Sequence, residues 1–147
     1  MSVLFGDIDD AEARLCGVYV DIGYGRSRSM YDLIVGWANH VARLKAEQSE
    51  SLSTNPTLWN EHDYVAALGI RDFVEKGLTT LDVDLDGIAR ALVSRVDVEY
   101  VSFTQEQEGS RDLLSRVAEV EPVGREWWWN RIPKVGFILD ALNRNYR

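Results

Sequence analysis

Residues 82–87 of the chain read DVDLDG, and put Asp82, Asp84, Asp86 and Gly87 at the first, third, fifth and sixth positions of a calcium-binding loop. Such a loop closes on a bidentate glutamate at its twelfth position, and here that position is Val93. Residues 88–93, IARALV, already follow helical periodicity. The acids are therefore expected to cap a helix and complement its dipole, and no metal is expected.

VYVDIGYGRSRS, residues 18–29, offers different chemistry. Asp21, Gly23 and Gly25 form a D-x-G-x-G turn, the kind that follows a strand and lets backbone amides approach a phosphate or a methyl donor. Arg26 and Arg28 could help hold an anion. Ser27, however, takes the next glycine position, and no second strand follows where a ribose-binding acid belongs. These three residues are the cofactor-binding candidates of the alternative reading, a small-molecule or nucleotide-binding protein with or without catalysis. The favoured reading has no cofactor.

Catalytic groups are scarce. His40 lies beside the apolar face of a helical segment, and His62 falls in the first turn of another. HExxH, paired CxxC and Gly-x-Ser-x-Gly motifs are absent. Carboxylates are plentiful, but nothing selects two of them as acid and base. No catalytic residue is assigned, which leans the reading away from an enzyme.

REWWWNRIPKVG, residues 125–136, raises a problem of direction. In a helix, Trp127, Trp128 and Trp129 would fan over roughly 200°. In a strand, Trp128 would face away from the other two. One core cannot receive all three, so either the segment is wedged between layers with indoles buried on both sides, or at least one indole is exposed. A mixed outcome is expected, two indoles inside and one outside, with strand parity making Trp128 the odd one. Ile132 precedes Pro133 and should be extended, separating this segment from the last helix. Tryptophan and arginine are over-represented at binding hot spots. Trp127, Trp128, Trp129, Arg125 and Arg131 are thus the candidate partner-binding residues.

The elements that must position these residues are mostly helical. From Ser29, the residues Met30, Leu33, Ile34, Trp37, Val41 and Leu44 keep the three-four spacing of one helical face, with Ser29 and Asp32 as a capping pair. A second helix is predicted from about Asn60 to Lys76, with Tyr64, Val65, Leu68 and Phe73 inward and Gly77 as its stop. A third should begin after Asp84 or Asp86 and carry Leu85, Ile88, Leu92, Val96, Tyr100 and Phe103. Ser110 is expected to cap a short helix ended by Pro122, and Pro133 to begin the last one, bearing Val135, Ile138, Leu142 and Tyr146. In residues 9–23, Ala11, Leu15, Val18 and Ile22 fit a helix, while VYVDI fits a strand. The prediction is an all-α or nearly all-α bundle of five or six helices, with at most one short strand near residues 17–22. Residues 1–147 are read as a single domain with a mobile polar loop at 48–58.

Composition narrows the function. The 46% hydrophobic share suits a folded core rather than a disordered chain. No apolar run approaches the ~20 residues that cross a bilayer. The N-terminal stretch carries aspartates where a signal peptide needs basic residues, and Cys16 is the lone cysteine, so a cytoplasmic location is expected. Residues 1–120 hold twenty-one acids against eleven bases, a net −10, and residues 121–147 hold three against five, a net +2. That body repels phosphate backbones, which argues against nucleic acid as partner and for a basic protein. A non-enzymatic protein-binding domain, of the inhibitor or immunity type that neutralises a basic enzyme, fits these limits best.

Overall fold

Ser29 and Asn60 start two of the long helices by the same physics. The Ser29 hydroxyl accepts the Asp32 N–H at 3.0 Å, and the helix after it, α2, spans Met30–Glu47. Asn60 Oδ1 accepts the N–H groups of His62 (2.9 Å) and Asp63 (3.3 Å), while the Asp63 carboxylate accepts the Asn60 N–H at 2.9 Å. This reciprocal box opens α3, Glu61–Leu78. These assignments come from a computed structural model that describes residues 9–122 and 124–146.

The segment that fits both helix and strand turns out to hold one of each. Helix α1 covers Asp9–Cys16, and after Gly17 the chain forms strand β1, Tyr19–Gly23, paired antiparallel with β2, Arg26–Ser29. Helix α4, Val83–Phe103, begins directly after Asp82, whose Oδ1 accepts the Leu85 N–H at 2.9 Å. That bond, with Arg14 adding at 2.7 Å, holds the Asp82 carboxyl below its ordinary value. Strand β3, Thr104–Glu106, pairs antiparallel with β4, Arg131–Pro133. Between them lie α5, Ser110–Ala118, and a 3-10 turn at Trp127–Asn130; α6, Phe137–Tyr146, follows. Helix covers 64% of the described residues, in six helices beside two small sheets. The architecture is mostly α.

Several details differ from the predicted elements: α4 starts at Val83 rather than after Asp84 or Asp86, α5 ends at Ala118 rather than at Pro122, and Val135 precedes α6 and is exposed. Gly77 does not stop α3, which runs on to Leu78. A Cβ at position 77 would overlap Met30 Sδ and Val20 Cγ2, so the glycine permits close packing. Phe73 is half-buried, and the neighbouring Val74 takes the core position. Ser110 lies inside α5 rather than capping it; the cap is Gly109, at φ 85°, and the Ser110 hydroxyl is buried without a hydrogen-bond partner among the described residues. Pro133 ends β4 instead of starting α6, because it pairs with Thr104 across the sheet. The chain then turns at Gly136, whose φ of 106° and closeness to the Gln48 carbonyl disfavour any side chain.

The chain divides into two compact units. The first, Met1–Asn39 with Ile70–Val98, is built around Trp37, which is fully buried as its helical face predicted. Its indole N–H donates to Asp97 Oδ1 at 2.9 Å. Asp97 also receives both arms of Arg71 at 3.0 Å, and Arg71 reaches Glu75 at 3.0 Å. Arg71 is only 4% exposed, so this bidentate pair is what makes its burial tolerable. The second unit, His40–Gly69 with Glu99–Arg147, packs Tyr64, Tyr100, Trp128, Trp129 and Ile132 together. It also holds the polar stretch 48–58, which carries no helix or strand. The ends of that stretch are tied where Glu47 accepts the Trp59 N–H at 2.8 Å.

Candidate partner-binding site

The three indoles are placed by two tyrosines. Tyr64 and Tyr100 are fully buried, their hydroxyls 2.8 Å apart. Tyr100 Oη lies 2.7 Å from the Trp128 carbonyl, and Tyr64 Oη lies 2.9 Å from the Arg131 carbonyl. Two phenolic protons are shared among these oxygens, and the carbonyls can only accept, so neither proton is spare. Losing one would leave more oxygens facing one another unbridged, and burial adds its own cost to the charged form. Burial first, then Tyr100, pushes the Tyr64 phenol well above its ordinary value. The pair therefore acts as a neutral clamp on the backbone of residues 128–131.

Under that clamp the WWWN segment coils as a 3-10 turn, and its burial differs from strand parity. Trp128 and Trp129 are 1% and 2% exposed, whereas Trp127 is 40% exposed. The expected count of two inside and one outside holds, but the odd indole is Trp127 rather than Trp128. The reason is the period: in a 3-10 turn successive side chains step by about 120°, so direction does not alternate. Trp127 still has a fixed seat. Its ring meets Trp128 edge-on at 5.5 Å and lies 6.2 Å from the Tyr100 ring.

Both arginines make contacts within the chain. Arg131 donates through Nε to the Thr104 hydroxyl and through a terminal nitrogen to the Thr104 carbonyl, both at 2.9 Å, and its side chain is 14% exposed. Arg125 is half-buried, with its guanidinium 5.2 Å from the centre of the Trp129 ring and Nε 3.1 Å from the Glu121 carbonyl. Of the five candidate residues, only Trp127 presents a large free surface. Its surroundings are acidic: Glu126 precedes it and is exposed, and the Gln107 N–H bonds the Asn130 carbonyl at 3.3 Å. The exposed carboxylates Glu106 and Glu108 thus border the same turn.

The other motifs resolve into structure. Asp21, Gly23 and Gly25 occupy a β-hairpin, so the glycine turn leads into an antiparallel strand and not into a helix. Asp21 Oδ1 accepts the Gly23 N–H at 2.8 Å. Asp84 and Asp86 lie in the first turn of α4, which leaves no calcium loop at 82–93. No group of three His, Cys, Asp or Glu among the described residues could hold a metal. His40 stacks on Trp59 at 4.9 Å, and His62 is exposed at the start of α3. A dimple lined by Leu44, Trp59, Phe103 and Phe137 has room for about one water molecule.

The clamp was half legible in sequence, since Tyr64 and Tyr100 both fall on faces predicted to point inward. The Arg71–Asp97 pair left no signal, because an arginine on a helix is by default solvated. No helix among the described residues is long and apolar enough to cross a membrane. No protein-family model matches the chain, and neither does a curated protein or a solved structure.

Proposed function

We propose that this chain is a non-enzymatic protein-binding domain, an inhibitor or immunity-type protein that neutralises a basic partner enzyme in the cytoplasm. One observation carries the reading. Trp127 keeps 40% of its surface in solvent while its ring rests on two buried aromatics. A large indole already held in place loses little conformational freedom on binding, which is the physical character of a hot-spot anchor. The exposed carboxylates of Glu106, Glu108 and Glu126, and a net charge of −8, favour a basic partner and speed its encounter at low salt.

Immobilised protein, in wild-type and Trp127→Lys forms, tests this against lysate of the source cells. The lysine stem can lie over Tyr100 as the ring does, so the fold is expected to survive, and circular dichroism checks that it has. The expected result is a basic protein retained by the wild type, inhibited by it in solution, and lost with Trp127→Lys or at high salt. Retention indifferent to both the substitution and salt would refute the reading.

A further inference from the structure

The β1–β2 hairpin carries three features that packing does not require. The first is a free backbone edge. Met30 N–H donates to the Val18 carbonyl at 2.7 Å, which marks 18 and 30 as a hydrogen-bonded pair just beyond the ladder. Antiparallel ladders alternate, so 20/28 is bonded, while 19/29 and 21/27 point their N–H and C=O groups outward. On the β1 side the outward Asp21 carbonyl accepts Lys76 Nζ at 2.9 Å, as this parity demands. On the β2 side the sheet ends among the described residues, and the outward groups of exposed Ser27 have no neighbouring strand there.

The second feature is the turn. Gly23 and Arg26 pair across it, and the two residues between, Tyr24 at φ 57° and Gly25 at φ 71°, both have positive φ, the signature of a type I′ turn. Glycine or asparagine suits the first of these positions, and an aromatic residue there is strained. The Tyr24 ring gains no burial in exchange, since it is fully exposed. The third feature is charge. Arg26 and Arg28 flank Ser27 on one face of β2, both exposed and without an ion pair among the described residues, in a chain of net charge −8.

We propose that the free edge of β2 receives an extended acidic segment of another protein as a third strand. Main-chain bonds to Ser27 would supply the register, and side chains opposite Arg26 and Arg28 the selectivity. Those two positions lie on one face, so the segment needs acids at alternate residues, Glu-x-Glu. A second copy of this chain fits poorly. Antiparallel pairing of β2 with itself about Ser27 sets Arg26 against Arg28 twice, and like charges directly opposite one another are destabilising. Arginine on an edge also discourages indiscriminate strand pairing, leaving an acidic strand as the welcome one.

The probe is a blocked heptapeptide of alternating valine and glutamate, titrated into the full chain at low salt and followed by backbone amide NMR. The expected result is a saturable shift of the Ser27 and Ser29 amides, with no shift from the lysine version of the peptide. Arg26→Glu with Arg28→Glu should weaken binding about tenfold or more, two reversed charge pairs being worth about 1.4 kcal/mol together. Ser27→Pro removes an outward donor that the hairpin itself does not use, so the dichroism should hold while affinity falls about tenfold. Trp127→Lys should leave the titration unchanged, which separates this edge from the indole site. No shift at millimolar peptide, or equal binding by the lysine peptide or by Ser27→Pro, would overturn the proposal. A dimer broken by Ser27→Pro would assign the edge to a second copy and overturn it too.

Discussion

Truncating the three adjacent tryptophans one at a time should give two large losses and one small one. A full tryptophan surface is about 250 Å², so Trp127, at 40% exposure, hides about 150 Å² of it. At about 25 cal/mol per Å² that is nearly 4 kcal/mol. Compaction of the unfolded chain and the Cβ that alanine keeps reduce it to about 2 kcal/mol. No sealed cavity forms, because solvent reaches the site. Trp128 and Trp129, at 1% and 2%, hide essentially all of their surface and would leave closed voids, so alanine there should cost about 4 kcal/mol. In a chain of this length each kcal/mol lowers Tm by about 3 °C. Differential scanning calorimetry should then find Trp127→Ala about 6 °C below wild type, and the other two at about twice that loss or unfolded. Equal losses at all three positions would refute the assignment of Trp127 as the outward indole. A Trp128→Ala variant more stable than Trp127→Ala would restore strand parity.

Two further outcomes follow from the carboxylates and the phenols. Calcium should leave Tm unchanged, since Asp84 and Asp86 sit in a helical turn; a rise of several degrees at micromolar calcium would show that residues 82–93 open into a loop. The Tyr64 phenol titrates higher in the folded chain than its ordinary 10.0, so the folded state keeps a proton that the unfolded state releases. The stability this contributes is complete below about pH 10 and is lost as pH rises from there through the folded value. Urea midpoints measured from pH 9 upward should accordingly fall less steeply in Tyr64→Phe than in wild type, and parallel slopes would contradict the buried clamp.

Most of the fold was legible because one face of each long helix repeats at 3.6 residues and its caps are local. Ser29 and Asn60 act within three residues of themselves, so their role is written next to them. Of the three aspartates at 82, 84 and 86 it is Asp82 that caps, so α4 starts earlier than the predicted point after Asp84 or Asp86. The mistaken boundaries have the opposite character. Gly77 looked like a stop because glycine ends helices, yet its requirement comes from Met30 and Val20, far away in sequence. Pro133 looked like a helix start because its φ suits one, yet Thr104 claims it for a strand. Ser110 has a capping side chain, but Gly109 supplies the left-handed φ at the start of α5. A local preference decides when nothing distant competes with it.

The same distinction explains the candidate site. That three adjacent indoles cannot share a face is a matter of chain geometry, so the split into two inside and one outside could be read from residues 127–129 alone. Which indole faces out depends on the twist of the segment, and that twist is held by hydroxyls from α3 and α4, some sixty and thirty residues earlier. Arg125 and Arg131 were drawn into the site by the same proximity in sequence that made it visible. Their guanidinium groups answer instead to Trp129 and Thr104, each of which offers a partner that a solvated arginine would lack. Both arginines thus also hold the turn. What remains outward is one indole beside exposed carboxylates, so the part of the candidate site still open to a partner is Trp127 alone.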